Sequence, residues 1–373
     1  MIQKGAFTAI GSWPHLDAEK ITNRIMEDFY YLPAWPQLPK TSFYENMYVQ
    51  YSEGLPCIVT DIKNERIYFD TSKDIFEPIQ KVYENYLSGN YDYFEISKGY
   101  AKGLYKLKEK IERKGEIPLI KGQTLGPISL GLSLTDQNKR LILYNEQMSD
   151  AIVKVCVCKA AWQALFLKKL AKKVVIFLDE PYLVSIGSAY VNLSREQIIS
   201  MLNEVIDKLH ELDVITGIHC CGNTDWSILM DTNIDIINFD AYEYAESIML
   251  YPEKTDAFLK KKKYFAWGIV PTAEDKVFSE TAEQLAEKLK KSQDKLASTG
   301  VNKNNIVEKT ILTPACGTGS LSEKAAERII DLLNGVSEIY TGRDCSKRGS
   351  RSENSGFEAK PSFEKRAYHR RDM

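Results

Sequence analysis

Along most of the chain, short apolar runs rich in Val and Ile alternate with stretches in which apolar residues recur every three or four positions. The first pattern marks buried strands and the second amphipathic helices. Eight runs read as strands, over residues 6–13, 29–35, 117–125, 174–179, 214–221, 234–240, 264–270 and 310–316. Helix starts fall between them. Ser194-Arg195-Glu196-Gln197 is a capping box ahead of Ile198, Ile199, Met201 and Leu202. Thr281 leads a helix over 282–291, and Ser320-Leu321-Ser322-Glu323 precedes one that runs to Leu333. Such hydroxyls accept from N–H groups that a first helical turn leaves without partners. Strands that are apolar throughout and joined by helices are buried on both faces, which makes the sheet parallel. Eight βα units predict a (β/α)8 TIM barrel, with an open doubly wound sheet as the alternative.

One segment departs from this repeat. Residues 37–97 are too many for a simple βα loop and form an insertion after the second predicted strand. Within it, Cys57-Ile58-Val59-Thr60-Asp61 and Glu65-Arg66-Ile67-Tyr68-Phe69 read as the arms of a β-hairpin. The insertion is either a lid or partner surface at the barrel mouth, or a stiffener of its rim. At the other end, residues 343–373 carry nine Lys and Arg against five Asp and Glu, with too little apolar surface to fold alone. They read as a disordered tail, which leaves 1–342 as a single catalytic barrel.

Removing that basic tail makes the rest of the chain mildly acidic, so it offers no electrostatic footprint for nucleic acid. Apolar residues make up 44% of the 373 and charged residues 27%, as expected of a globular chain with a sizeable core. No apolar run reaches the roughly 18 residues of a membrane span, and Met1-Ile2-Gln3-Lys4-Gly5 opens no signal peptide. The expectation is a cytoplasmic protein without a membrane partner. Its seven cysteines, scattered and odd in number, are free thiols or metal ligands rather than a disulfide framework.

A barrel assembles its active site from the carboxyl ends of its strands, and in this chain those ends carry the chemistry. They include Gly11-Ser12-Trp13-Pro14, Trp35-Pro36-Gln37, Asp179-Glu180-Pro181, His219-Cys220-Cys221, Asp240 and Cys316-Gly317. On a strand, residues i and i+2 share a face, so His219 and Cys221 can share one metal while Cys220 faces away. Cys316 arrives from the last strand. Imidazole with two thiolates suits zinc, and three protein ligands beside an open fourth position is the catalytic arrangement. Buried core cysteines fit the same spacing. Cys156 and Cys158 lie two apart on a helix, where they do not share a face, so they read as packing. His210 reads as a solvated helix residue, whereas His15 either meets substrate or caps a loop.

Taken together and in order, Gly11-Ser12-Trp13-Pro14, Gly126-Pro127, Asp179-Glu180-Pro181, His219-x-Cys221 and Pro314-Ala315-Cys316-Gly317 resemble the C-terminal catalytic domain of cobalamin-independent methionine synthase. That family belongs to the superfamily of uroporphyrinogen decarboxylase and the zinc thiol methyltransferases. The resemblance runs over roughly residues 5–340. It implies zinc bound by His219, Cys221 and Cys316. The family's fourth ligand, a Glu, falls on Asp240, which is one methylene shorter and either binds zinc, sits beside its ligands or yields to Glu243. The resemblance also implies that Ile10, Gly11 and Ser12 hold an amino-acid carboxylate and that Asp179 holds the amino group. The family's second carboxylate falls on Gln50, with Glu45 and Glu53 as substitutes.

The implied activity is methylation of homocysteine, activated as a thiolate, to methionine. Full-length family members carry a second, N-terminal barrel that helps hold polyglutamyl methylfolate. This chain resembles the stand-alone forms instead, for which the expected donor is a methylated corrinoid protein. Nothing in it resembles the Asp-x-His-x-x-Gly of a cobamide-binding domain, so the corrinoid is expected on a partner. Three other readings stand beside this one: a zinc enzyme for another small thiol such as coenzyme M, a metal-free uroporphyrinogen decarboxylase-like enzyme, and a non-catalytic barrel that binds a corrinoid protein.

Overall fold

The computed structural model describes residues 2–72, 74–188 and 191–342; the predicted tail at 343–373 lies outside the described residues. Among the described residues there are nine strands: β1 (Ala6–Phe7), β2 (Ile58–Asp61), β3 (Arg66–Phe69), β4 (Ile117–Leu125), β5 (Ala171–Asp179), β6 (Ile215–Cys220), β7 (Ile236–Phe239), β8 (Tyr264–Val270) and β9 (Thr310–Pro314). Seven form one sheet in the order β1-β9-β8-β7-β6-β5-β4, and every neighbouring pair is parallel. β2 and β3 make the antiparallel hairpin of the insertion.

Residues 34–37 occupy the eighth barrel position. Ser12 bridges Gln37 on the β1 side and Ala34 bridges Lys121 on the β4 side, both in parallel sense. The segment thus joins the two edges of the curled sheet, an α/β barrel of the TIM type rather than an open sheet. Its strand lies a few residues beyond the predicted 29–35, because the Phe29 amide caps the helix Ala18–Asp28 by donating to the Ile25 carbonyl. Pro33 and Pro36 lack the N–H groups that a continuous ladder needs, so the pairing reduces to isolated bridges.

Strand parity organises the interior. Near the bottom of the barrel, Leu119, Val175, Phe177, Ile236, Ala266 and Ile311 pack together in an apolar plug. Moving two or four residues along the same strands turns that face polar, giving Lys121, Gln123, Asp179, Asn238 and Thr313, all buried. Gly217 is what lets Phe177 fill the plug, since a Cβ there would come within 2.2 Å of the ring. The opposite strand faces and the helices form the larger outer core, which includes Cys156, Cys158 and Cys220. Both halves of the expected capping box are present at Ser194, opening the helix Arg195–Glu211, and Thr281 with Gln284 forms a second one at the start of the helix Ala282–Ser298. Among the described residues, no helix is long and apolar enough to cross a membrane.

Candidate metal centre and its cavity

β6 and β7 run in parallel register with His219 opposite Asn238, and this pairing sets the imidazole. The Asn238 amide nitrogen donates to the Ala266 carbonyl at 2.8 Å and to Thr313 Oγ1 at 2.7 Å, which turns its Oδ1 toward His219 Nδ1. Nδ1 therefore carries the proton and donates, and the lone pair of the ring sits on Nε2. Two residues on, Cys221 shares the inward face, and Cys316 follows β9. One ligand atom from each of His219, Cys221 and Cys316 lies within 4.8 Å of the other two. The hydrogen bond from Cys316, and after it the adjacent His219 ring, pull the Cys221 thiol well below its usual range, while the same Cys316–Cys221 contact and burial push Cys316 up. One nitrogen and two sulfurs at this separation fit a tetrahedral zinc ion with a fourth position left for a ligand. Cys220 points the other way into the core, where burial pushes its thiol up to about 12.

These three residues line a cavity of about 380 Å³ at the barrel mouth, together with Ile10, Ser12, Gln37, Glu45, Tyr48 and Asp179. Asp179 is buried, and its Oδ1 meets no hydrogen-bond donor. Burial pushes its carboxyl up to about 6, with His219 and Lys121 opposing the shift. Burial likewise brings Lys121 down to about 8, partly offset by Asp179; its Nζ donates to the Ile10 carbonyl at 2.6 Å. Two sequence motifs interlock on the far wall. Ser12 Oγ accepts from the Gly319 amide at 3.2 Å, and a Cβ on Gly317 would come within 2.2 Å of that hydroxyl.

The other expected site residues divide. Glu180, next to Asp179, turns away and accepts from the Ile128 and Ser129 amides at 3.0 and 2.7 Å, holding the first turn of the helix Pro127–Ser133. Gly11 gives its carbonyl to the Gln37 amide at 3.0 Å. Gln50 is buried behind the cavity wall, where it donates to the Tyr100 carbonyl and accepts from Gln37. Glu45 reaches the lining, yet its oxygens accept from the Leu38 and Lys102 amides; burial pushes it up to about 7. Glu53 is tied to the Ser97 amide. Asp240 is outside the ligand cluster, its Oδ1 accepting from the Glu243 amide at 2.9 Å, while Glu243 pairs with Lys276. His15 is buried against Glu327. Asn238 and Tyr48 escaped sequence reasoning, although strand parity two residues before Asp240 marks Asn238 as inward-facing.

No protein-family model matches the chain, and no curated protein matches it. Solved structures do. A B12-independent methionine synthase from Shewanella sp. W3-18-1, in complex with selenomethionine, superposes with a TM-score of 0.56 at 17% identity over 91% of this chain and 98% of that one. A Listeria monocytogenes protein assigned as a vitamin-B12-independent methionine synthase gives a TM-score of 0.53 at 14% identity over 87% and 85%. At these identities the likeness is one of fold.

Proposed function

We propose that this protein is a zinc-dependent methyltransferase that converts homocysteine to methionine, with a methylated corrinoid on a partner protein as donor. The observation that carries the reading is the meeting, in one cavity, of the His219, Cys221 and Cys316 cluster with the unpartnered acceptor of Asp179. The fold shared with methionine synthases agrees with it. A bound zinc ion would act as a Lewis acid that keeps a substrate thiol ionised near neutral pH. His219, Cys221 and Cys316 would hold it, with Asn238 fixing the histidine tautomer. The ammonium of homocysteine faces Asp179, and its carboxylate faces Ser12 and the backbone beside Ile10. With both ends held, the sulfur is aimed at the incoming methyl group. The new S–CH3 bond forms as the methyl–donor bond breaks, its electron pair leaving with the donor, so no side-chain nucleophile is needed.

At about 380 Å³ the cavity has room for an amino acid. The residues that line the cavity include no Lys or Arg. That counts against the many carboxylates of a tetrapyrrole, which call for cationic partners, while the unpartnered Asp179 acceptor matches an ammonium that coenzyme M lacks. The test is to supply zinc-loaded protein with homocysteine and either methylcobalamin or methyltetrahydrofolate. Methionine should form with methylcobalamin, vanish after chelation and return with zinc. Equal activity in metal-free protein ends the proposal, and methionine from methyltetrahydrofolate alone replaces the donor.

A further inference from the structure

We infer that Gln37 supplies the second acceptor for the substrate ammonium, beside Asp179. The inference rests on the amino-acid reading above and gives the role to a residue other than Gln50. Its basis is a chain of hydrogen bonds with only one consistent direction. The Tyr100 carbonyl can only accept, so Gln50 presents Nε2 to it and is left with Oε1 facing Gln37. Gln37 Nε2 donates to that oxygen at 2.8 Å. The Tyr51 hydroxyl gives its proton to the Gln123 carbonyl, so its oxygen takes the second Gln37 N–H, more loosely, at 3.5 Å. Both amide hydrogens of Gln37 are thereby committed to the protein, and a flipped amide would set two acceptors against each other.

Gln37 Oε1 meets no donor among the described residues, and the residue is only 4% exposed. It lies over the α-carbon of Gly11, where a Cβ would come within 2.4 Å, and Gln37 lines the same cavity as Ile10, Ser12 and Asp179. One cavity thus holds two buried acceptors short of donors, one ionisable and one neutral. A primary ammonium, with three N–H groups to satisfy, matches that pair; a deamino thiol leaves both unmet at the cost of burial without a partner. The neutral amide also adds no charge to a site that already holds Asp179 and two thiols.

Calorimetry on the full-length, zinc-loaded protein tests this with methionine and its deamino analogue 4-(methylthio)butanoate. Gln37→Leu should weaken methionine by about tenfold or more, the usual cost of a hydrogen bond to a charged group, and leave the analogue within about twofold. Gln37→Met, which also lacks the acceptor but keeps the unbranched length of glutamine, should lose methionine affinity to the same extent, which covers the case of a poorly folded Leu variant. Equal weakening of both ligands, or an unchanged methionine affinity in Gln37→Leu or Gln37→Met, overturns the role of Gln37 alone. Wild-type protein that binds neither ligand overturns the amino-acid reading and this inference with it.

Discussion

At each end of β6 a histidine meets an acceptor at or beside β7, His210 from the preceding helix Arg195–Glu211 and His219 from the strand itself, and the two sites differ in what is left over. At the amino end, His210 Nε2 and Asp235 Oδ2 lie 2.9 Å apart, and the same Asp235 oxygen accepts from the Thr216 amide and hydroxyl at 2.9 and 3.0 Å. Their side chains are 34% and 31% exposed, so water supplies whatever the protein does not. At the carboxyl end, His219 is buried, one ring nitrogen is held by Asn238, and the other turns toward two sulfurs in a cavity with an unmet carboxylate oxygen. A fully paired polar cluster at a surface is a joint. A buried cluster with open valences needs a ligand to complete it.

Breaking the carboxyl-end cluster should therefore cost binding rather than folding. Cys316→Ala removes a ligand, and bound zinc should fall from one per chain to near zero, with methyl transfer down by more than about 100-fold, beyond the effect of losing an outer partner. Metal analysis after dialysis measures it; unchanged stoichiometry makes Cys316 a core cysteine. Asn238→Leu leaves all three ligands but frees the ring and strands its Nδ1–H. Zinc affinity in a competing chelator should fall by about 10- to 100-fold. A fall in melting temperature with unchanged zinc affinity would make Asn238 a packing residue.

How much of this was legible depended on whether local pattern or distant partners decided each feature. Seven barrel strands and the hairpin follow from apolar runs, and the parity that separates His219 and Cys221 from Cys220 is a property of any strand. Residues 34–37 were misplaced because two prolines hide a strand that makes only bridges. Gln50 and Gln37 show the harder limit. Sequence likeness points to Gln50, but which of the two amides faces the cavity is set by Tyr51 and Tyr100, one adjacent and one 50 residues away. Asp179 and Glu180 are neighbours of one charge; alternation along the chain sends one to the cavity and the other to a helix start, which the motif alone does not reveal.

The amino-end joint gives the smallest effect and the cleanest contrast. Burial pushes Asp235 up, but the hydrogen bonds from His210 and Thr216 outweigh it and hold the carboxyl below its usual range. A carboxyl depressed in the folded state contributes stability above its unfolded pKa, and that contribution is lost as pH falls through the folded value. Because both side chains are about a third exposed, screening limits the contribution of the pair to about 1 kcal/mol. Asp235→Asn and His210→Ala should each lower the urea midpoint at neutral pH by that modest amount, and the gap between Asp235→Asn and wild type should close as pH falls below the usual aspartate range. Zinc content and methionine affinity should not move in either variant. If either variant lowers zinc affinity as Asn238→Leu does, the two ends of β6 are coupled and the division between joint and ligand site fails.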